Sequence, residues 1–448
     1  MNAQALNGKN VCVLGFGRSG NSAIDILHSL GANITLTTNE VIADDETRRR
    51  LINKDVEIID GHHPLSILND TALIVKNPGI PFSIPFLEAA LSRNIPIITE
   101  VDLAGIIAKS PIIGITGTNG KTTVTHLIGE FLLAGGRRPL LCGNIGYPAS
   151  KAAMEATEED ILVMELSSFQ LMTIRELKVD VAVYTNIYEA HLDYHKTKAS
   201  YQEAKLNLLK HLKDDHSVVF YEAQKALIPP HFGLKNIQYF SLNTKDSDVQ
   251  VMEGEIVYKG ESIIRLSDVK LKGVHNLENI LASILAVKHF DIDNAAIREV
   301  LMTFSGIPHR MELVQELDGV QYFNDSKATN NLATSFALQS FESPIIWIAG
   351  GMDRGQSFGE LTPYLTQVKY ILAYGETAEK LSAFAILMNI PVSIVENPSD
   401  AVFKSKTLTV PGDTVLFSPA CASWDQYKDY EVRGNHFKDA IYQLENEW

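Results

Sequence analysis

The sequence predicts an α/β protein of three domains. Short apolar runs alternate with helical patterns along most of the chain, as expected for mostly parallel sheets covered by helices. A length of 448 residues suits three domains of ordinary size. A glycine-rich loop between an apolar run and a helical pattern adds an arrangement that is typical of phosphate binding.

The first domain, predicted over residues 1–99, has a Rossmann-like opening. Val11–Leu14 is predicted as a buried strand, and Gly15-Phe-Gly-Arg-Ser-Gly20 as the turn before a helix. Asn77-Pro-Gly-Ile-Pro81 follows a later strand at its carboxyl end, where such sheets bind ligands. The acid expected after the second strand is missing or displaced to Glu40. A purely structural domain without a ligand is the alternative interpretation.

The central domain, predicted over residues 100–306, is interpreted as a P-loop-type ATPase domain with a mostly parallel sheet. Ile112–Ile115 is predicted as a strand, followed by the loop Gly117-Thr-Asn-Gly-Lys-Thr-Thr123 and a helix. Loop N–H groups would face phosphates, Lys121 would neutralise charge, and a Thr hydroxyl would bind Mg²⁺. Ile115 stands where the usual pattern has Gly. The alternative is a glycine-rich turn with a solvated lysine.

Further polar residues follow the next predicted strands of the central domain. Glu165 ends the strand that begins at Ile161, which makes it a candidate Mg²⁺ ligand or water-positioning group. His191 and Asp193 follow the strand Val181–Tyr184, and together they suit a metal or phosphate site.

Two other central segments have clear patterns. A helix is predicted from Ala199 to Leu212 with Lys205 in an otherwise apolar stretch, and residues 249–272 are predicted as an antiparallel ribbon. Without other information, Lys205 would be interpreted as a lysine whose amine reaches solvent.

The third domain, predicted over residues 307–448, is also Rossmann-like. Three predicted strands, Val320–Asn324, Ile345–Ala349 and Thr414–Phe417, each end in small, hydroxyl or charged residues. Because the carboxyl ends of parallel strands meet at one edge of a sheet, these ends predict the rim of a binding cleft.

Composition excludes some classes of function. A net charge of −15 argues against nucleic acid or an anionic membrane as the main partner. The three cysteines, Cys12, Cys142 and Cys421, lack CxxC spacing and are interpreted as buried side chains in a reducing compartment. No apolar signal core and no run of membrane-spanning length are found. A cytoplasmic protein without membrane insertion is therefore expected.

Taken together, these residues resemble the Mur ligases, ATP-dependent amide-forming enzymes of peptidoglycan precursor synthesis. The general marks are Gly117–Thr123, Glu165-Leu-Ser-Ser168, Thr185-Asn186 with His191-Leu-Asp193, His275-Asn276 and Pro308-His-Arg310. Longer blocks resemble the branch that adds D-glutamate: Gly143-Asn-Ile-Gly146, Glu165–Gln170, Asn324–Asn330 and Ser418–Gln426. The resemblance covers the whole chain.

The resemblance implies that D-glutamate is joined to UDP-N-acetylmuramoyl-L-alanine through an acyl phosphate, by a monomer. It implies catalytic roles for Lys121, Glu165, His191 and Lys205, and metal ligation by Thr122, Glu165, His191 and Lys205. Two Mg²⁺ ions and a carbamate on Lys205 are implied. The implied ATP-binding residues are Gly117, Thr118, Asn119, Gly120, Lys121, Thr122, Thr123, Asn279, His309, Arg310 and Asp325.

The remaining implied residues bind the other two substrates. For the UDP substrate they are Gly17, Arg18, Ser19, Asn77, Gly79, Asn144 and Ser167. For D-glutamate they are Lys327, Thr329, Arg354, Ser423 and Tyr430. The chain departs from the family pattern at Arg354 and Tyr430, where Lys and Phe are frequent, and at Thr37-Thr38-Asn39, where an acid contacts uracil.

Three alternatives stay open. A sister Mur ligase or a folylpolyglutamate-synthase-like enzyme would use another amino acid. A nicotinamide dehydrogenase built on Gly15–Gly20 would leave Gly117–Thr123 unexplained. A non-catalytic ATP-gated binding module would bind nucleotide without releasing phosphate.

Overall fold

The computed structural model describes residues 3–145, 147–244 and 247–446, except for the side chains of Leu192, Asp193, Leu332 and Asn446. Gly146 and the Asp193 carboxylate, which belong to the sequence motifs, therefore lie outside the described part. The chain forms two compact units, residues 1–304 and 305–448. Three sheets, mostly parallel, confirm the predicted α/β fold class.

The first sheet has five parallel strands in the order β3-β2-β1-β4-β5. Its strands are β1 Asn10–Leu14, β2 Asn33–Thr38, β3 Glu57–Asp60, β4 Leu73–Lys76 and β5 Ile97–Ile98; its helices are α1 Arg18–Ser29, α2 Asp45–Ile52 and α3 Pro85–Ser92. A Cβ at Gly20 would collide with the carbonyl oxygen of Gly15, so the predicted turn needs glycine there.

Helix α4, Glu100–Ile107, is shared by two hydrophobic cores of the first unit. Leu103 packs in the core of the first sheet, whereas Val101 and Ala104 pack in a core of the central sheet. The buried Asp102 Oδ1 accepts hydrogen bonds from the backbone N–H groups of Arg175, Glu176 and Leu177 at 2.8, 2.9 and 3.2 Å. The helix is thereby fixed to the central sheet.

The central sheet has nine strands in the order β14-β13-β12-β11-β10-β9-β6-β8-β7. Its strands are β6 Ile112–Thr116, β7 Arg138–Gly143, β8 Asp160–Glu165, β9 Val179–Tyr184, β10 Leu212–Tyr221, β11 Ile237–Ser241, β12 Val249–Met252, β13 Glu255–Tyr258 and β14 Glu261–Arg265. Its helices are α5 Lys121–Ala134, α6 Ala149–Glu155, α7 Ser168–Leu171, α8 Leu192–His195, α9 Lys198–Leu206, α10 Val274–Lys288 and α11 Asn294–Thr303. β12, β13 and β14 pair antiparallel, which confirms the predicted ribbon.

Two predicted boundaries in the central domain are wrong. The helix expected to end at Leu212 ends at Leu206, and Leu212 instead begins β10 opposite Val179. A 3₁₀ turn intervenes, where the Asn207 side chain donates to the Leu171 carbonyl oxygen at 2.8 Å. The helix expected from Thr123 begins at Lys121.

The second unit carries a six-stranded sheet in the order β15-β16-β20-β17-β18-β19, with only β15 antiparallel to its neighbour. The strands are β15 Glu312–Leu317, β16 Val320–Asn324, β17 Ile345–Gly350, β18 Val368–Tyr374, β19 Val392–Ile394 and β20 Thr414–Phe417. The helices are α12 Asn331–Leu338, α13 Ala378–Leu387, α14 Pro398–Ser405 and α15 Tyr430–Asn446. The sequence analysis missed β15 and β19.

The composition also led to expectations about the cysteines and about membrane-spanning segments. Cys12, Cys142 and Cys421 are buried and free, as predicted. Among the described residues, no helix combines the length and the apolar character that crossing a membrane requires.

Candidate active site

The loop between β6 and α5 can be built only with glycine at two positions. Gly117 and Gly120 have positive φ angles of 152° and 80°. A Cβ at Gly117 would collide with Thr185 Oγ1, and a Cβ at Gly120 would collide with Asn279 Oδ1. The loop therefore packs against Thr185 and Asn279, and Asn279 lies beside the predicted phosphate-binding segment.

Hydrogen bonds fix the backbone of this loop. The Thr118 N–H donates to the Asn186 carbonyl oxygen at 2.8 Å, and the Asn119 N–H donates to Asn186 Oδ1 at 2.9 Å. Lys121 Nζ donates to the carbonyl oxygens of Gly117 and Thr118 at 2.9 and 2.8 Å. The lysine amine is thus held over the loop, at the positively polarised N-terminus of α5.

Glu165 lies at the carboxyl end of β8 and is only 1% exposed. Its Oε2 accepts a hydrogen bond from Thr122 Oγ1 at 2.7 Å, and its Oε1 accepts one from Asn144 Nδ2 at 2.7 Å. Both carboxylate oxygens are therefore oriented by neighbours on α5 and after β7. Carboxylate and hydroxyl oxygens are ligands that Mg²⁺ prefers.

Lys205 lies on α9 and is 1% exposed, so its amine does not extend into solvent. Its Nζ donates to the Gly117 carbonyl oxygen at 2.6 Å and lies 4.8 Å from the Tyr201 ring centroid. Burial lowers the pKa of Lys205 well below its ordinary value; the charge of Lys121 lowers it further and Glu165 opposes this. The amine is thus disposed towards its neutral form.

His191 is exposed and has a φ angle of 55°. Its ring centroid lies 6.0 Å from that of Tyr201, the ring that also contacts Lys205, and 5.2 Å from that of Phe169. Within the described residues, no three His, Cys, Asp or Glu side chains come together as a metal site.

A cleft of about 280 Å³ lies between residues of the first sheet and the central sheet. Its lining includes Arg18, Ser19, Asn77, Gly79, Asn144 and Ser167, together with Phe169 and Gln170. Six of the seven residues predicted for the UDP substrate thus meet in one cleft. Gly17, the seventh, lines a neighbouring cleft of about 420 Å³ with Thr38, Asn39 and His63.

A cleft larger than these two lies elsewhere. It has a volume of about 650 Å³ and is lined near the amino ends of β1 and β2 by residues such as Asn10 and Asn33. None of the predicted site residues is among its described lining residues. Ligands of open parallel sheets bind at the carboxyl ends of the strands, so the two smaller clefts are the better candidates.

In the second unit, His309 and Asp325 are buried near the carboxyl end of β16. His309 Nδ1 and Asn324 Nδ2 are 2.9 Å apart, and burial lowers the pKa of His309. Asp325 accepts a hydrogen bond from Ser418 Oγ at 2.8 Å and one from the Met311 N–H at 3.3 Å. Burial nevertheless raises the pKa of Asp325 to about 7.

Two cations of the second unit lie against aromatic rings. Lys327 Nζ lies 3.7 Å from the Tyr430 ring centroid, and the Arg354 guanidinium carbon lies 4.6 Å from that of Trp424. Ser423, directly before Trp424 in the sequence, is buried. Lys327, Arg354 and Ser423 follow β16, β17 and β20, three strands that are neighbours in the sheet.

Comparison with known families matches three segments of the chain. Residues 9–99 match the description "Mur ligase MurD-like, N-terminal domain", residues 115–287 match "Mur ligase middle domain", and residues 309–421 match "Mur ligase, glutamate ligase domain". The chain belongs to the Mur ligase family. The resemblance, the ligase class and the ATP dependence predicted from the sequence are thereby confirmed.

Curated relatives of this Mur ligase match it over nearly its whole length. UDP-N-acetylmuramoylalanine–D-glutamate ligase of Macrococcus caseolyticus is 50% identical, covering 97% of this chain and 98% of the relative. The proteins of the same name from Staphylococcus saprophyticus and Staphylococcus carnosus are each 45% identical, covering 97% and 98% of this chain and 97% and 98% of the relatives.

Solved structures show the same fold. UDP-N-acetylmuramate-alanine ligase from Thermotoga maritima matches with a TM-score of 0.55 at 18% identity, covering 98% of this chain and all of that chain. MurF ligase from Thermotoga maritima in complex with ADP matches with a TM-score of 0.53 at 19% identity, covering 100% and 97%. At this identity the likeness concerns the fold alone.

Sequence reasoning missed two residues that the structure of this Mur ligase puts beside the predicted sites. His63 Nδ1 lies 2.8 Å from Thr37 Oγ1 in the 420 Å³ cleft; its place just after β3 could have revealed it. Arg433 is fully buried, and its guanidinium donates to Ser326 Oγ, Ser326 O and Cys421 O at 3.0, 2.7 and 3.0 Å. It thereby ties together the segments that carry Lys327 and Ser423, although its place at the end of the run Tyr427–Gly434 predicted no role for it.

Proposed function

We propose that this Mur ligase joins D-glutamate to UDP-N-acetylmuramoyl-L-alanine in peptidoglycan precursor synthesis. The observation that carries the proposal is 50% identity, over nearly the whole of both chains, to a relative named for this activity. A sister ligase with another amino acid is less well supported, because the sister structures are less than 20% identical.

The proposed reaction has two steps. A carboxylate oxygen of the muramoyl-alanine substrate attacks the γ-phosphorus of ATP, and ADP leaves. The D-glutamate amine then attacks the acyl carbon, phosphate leaves with the electron pair of the broken C–O bond, and the amine loses a proton. Both steps bring anions together, so the protein supplies cations and orientation rather than a covalent nucleophile.

The loop from Gly117 to Thr123 suits the phosphates of ATP. Its N–H groups and the N-terminus of α5 offer donors to an anion. Lys121 Nζ, which already bridges two loop carbonyl oxygens, adds a positive charge at this point. Asn279, which touches Gly120, would position the nucleotide from α10. The nucleotide-binding roles of His309, Arg310 and Asp325 in the second unit stay predictions.

Mur ligases use Mg²⁺ with ATP, and the residues beside the loop fit this ion. Thr122 Oγ1 and Glu165 Oε2 are hard oxygen donors only 2.7 Å apart. When bound there, Mg²⁺ would neutralise phosphate charge and polarise a phosphoryl oxygen. Asn144 would hold the Glu165 carboxylate in the orientation that such binding needs.

We further propose that Lys205 is carbamylated and that a second Mg²⁺ is held by this carbamate and His191. A buried amine of lowered pKa is neutral often enough to capture CO₂, and the product is an anionic oxygen ligand. The unmodified chain offers no cluster of three acidic or imidazole ligands among its described residues, so a carbamate would add the missing negative charge.

Each predicted domain would bind one substrate. Residues 1–99 would bind the UDP substrate, residues 100–306 ATP, and residues 307–448 D-glutamate. The 280 Å³ cleft with Arg18, Asn77 and Asn144 suits the first of these roles. Lys327, Thr329, Arg354, Ser423 and Tyr430 would form the D-glutamate site. A monomer in the cytoplasm stays the expected state.

A phosphate-release assay tests the proposal. Purified protein with ATP, Mg²⁺ and UDP-N-acetylmuramoyl-L-alanine is offered amino acids of both hands. D-Glutamate should support turnover and L-glutamate should not, because a fixed polar frame leaves groups unpaired with the wrong enantiomer, at about 1–3 kcal/mol per group. Equal rates with both enantiomers, or turnover only with L-alanine or a diamino acid, would contradict the proposal.

A further inference from the structure

Hydrogen bonds hold the backbone around Arg354, whereas no ion pair holds its guanidinium among the described residues. The Met352 N–H donates to the Ala422 carbonyl oxygen at 2.9 Å, and Gln356 Nε2 donates to Cys421 Sγ at 3.1 Å. The Arg354 N–H donates to Gln356 Oε1 at 2.8 Å. Among the described residues, the Arg354 guanidinium has no ion pair with a carboxylate. The guanidinium lies over the Trp424 ring.

Trp424 is unusual in its own segment. Residues 418–423 are all buried, whereas Trp424 is 63% exposed. The exposed indole lies with its ring centroid 4.6 Å from the Arg354 guanidinium carbon, and a guanidinium stacked on a ring keeps its edge N–H groups available.

We propose that Trp424 is a positioning residue that holds the Arg354 guanidinium ready for one carboxylate of the amino-acid substrate, and thereby favours a dicarboxylate. The inference rests on the proposed function. Lys327 over Tyr430 repeats the arrangement, so two cations lie against rings in segments that follow neighbouring strands of one sheet. Two oriented cations match a ligand with two carboxylates, such as D-glutamate, better than a ligand with one.

The expected effect of removing the ring follows from the strength of an exposed cation–π contact. Trp424→Ala should raise the KM for D-glutamate about two- to fivefold, while kcat and the KM for ATP stay near the wild-type values. The preference for D-glutamate over D-glutamine, which lacks the second negative charge, should fall by a similar factor. Trp424→Phe keeps a ring and should recover most of the affinity.

A double-mutant cycle decides whether Trp424 acts through Arg354. In an Arg354→Ala background, Trp424→Ala should cause no further rise in the KM for D-glutamate. Leu387→Ala is the matched control, because Leu387 is an exposed hydrophobic residue of the same unit, 73% exposed at the end of α13. Its KM should equal that of the wild type.

Three outcomes would overturn the inference. The first is an unchanged KM in Trp424→Ala, and the second is an equal rise with and without Arg354. The third is an unaltered preference over D-glutamine. In each case the wild type would still turn over D-glutamate, so the proposed function would stand. A wild type that does not use D-glutamate at all would overturn both.

Discussion

Lys121→Ala is the substitution that tests the phosphate loop most directly. The loss of stability can be estimated from the contacts of the side chain. Lys121 is half-buried, and its Nζ donates to two loop carbonyl oxygens at 2.9 and 2.8 Å. At about 1 kcal/mol for each hydrogen bond, the unfolding free energy should fall by about 1–2 kcal/mol, which leaves a folded protein.

The expected loss of activity is much larger. The same amine is proposed to face the phosphates of ATP, where charge develops during transfer. Losing one oriented donor of this kind costs about 100- to 1,000-fold in kcat, equivalent to about 2.7–4 kcal/mol. The assay is phosphate release with ATP, Mg²⁺, UDP-N-acetylmuramoyl-L-alanine and D-glutamate, paired with a thermal melt of each variant.

Lys109→Ala is the matched control, since Lys109 is an exposed lysine just before β6 and is not among the predicted site residues. It should keep the wild-type rate and a similar melting temperature. If Lys121→Ala also released phosphate at near the wild-type rate, the assignment of this loop to ATP would be refuted. Loss of folding in Lys121→Ala would instead refute the stability argument.

Two other predictions concern buried titratable groups. Removing CO₂ should lower the activity, and adding bicarbonate should restore it. Lys205→Arg should fold but be inactive, and should give no carbamate carbon signal with labelled bicarbonate, whereas a Lys→Arg substitution at the exposed Lys210 should behave as wild type. Full turnover of Lys205→Arg would contradict the carbamate. Because burial raises the pKa of Asp325 from 3.8 to about 7, its stabilising contribution is complete below pH 4 and is lost as the pH rises through 7, by up to about 4 kcal/mol. Asp325→Asn should therefore melt with a weaker dependence on pH between 5 and 8 than the wild type, and parallel profiles would contradict this.

Two strands that carry the site, Asp160–Glu165 and Thr414–Phe417, could be predicted because they are buried on both faces, whereas Val320–Asn324 alternates buried and half-buried residues. Val320–Asn324 and Thr414–Phe417 have the predicted bounds, and Asp160–Glu165 differs by one residue. In a parallel sheet such strands appear as continuous apolar runs, so their ends are visible in the sequence. The polar residues at those ends then meet because parallel strands share an edge.

The missed features depend on contacts between distant parts of the chain. β15 is an antiparallel edge strand with half-exposed residues, so it lacks an apolar run. The end of α9 depends on Asn207 binding the carbonyl oxygen of Leu171. Arg433 is buried by segments that are 12 to 107 residues away in sequence, and a charged residue is a poor candidate for a core without knowledge of those acceptors.

The shared helix α4 limits how members of this family can be recombined. An exchange made at Thr99 would set Leu103 against a foreign first sheet, whereas an exchange made after α4 would set Asp102 against a foreign 175–177 segment. A chimera with a foreign first domain must therefore also contain α4 and residues 175–177 from the same source, because their three N–H groups donate to Asp102. The segment that must be exchanged as a whole is thus set by the hydrogen bonds of a carboxylate 73 to 75 residues from its donors, rather than by the boundary of a sheet.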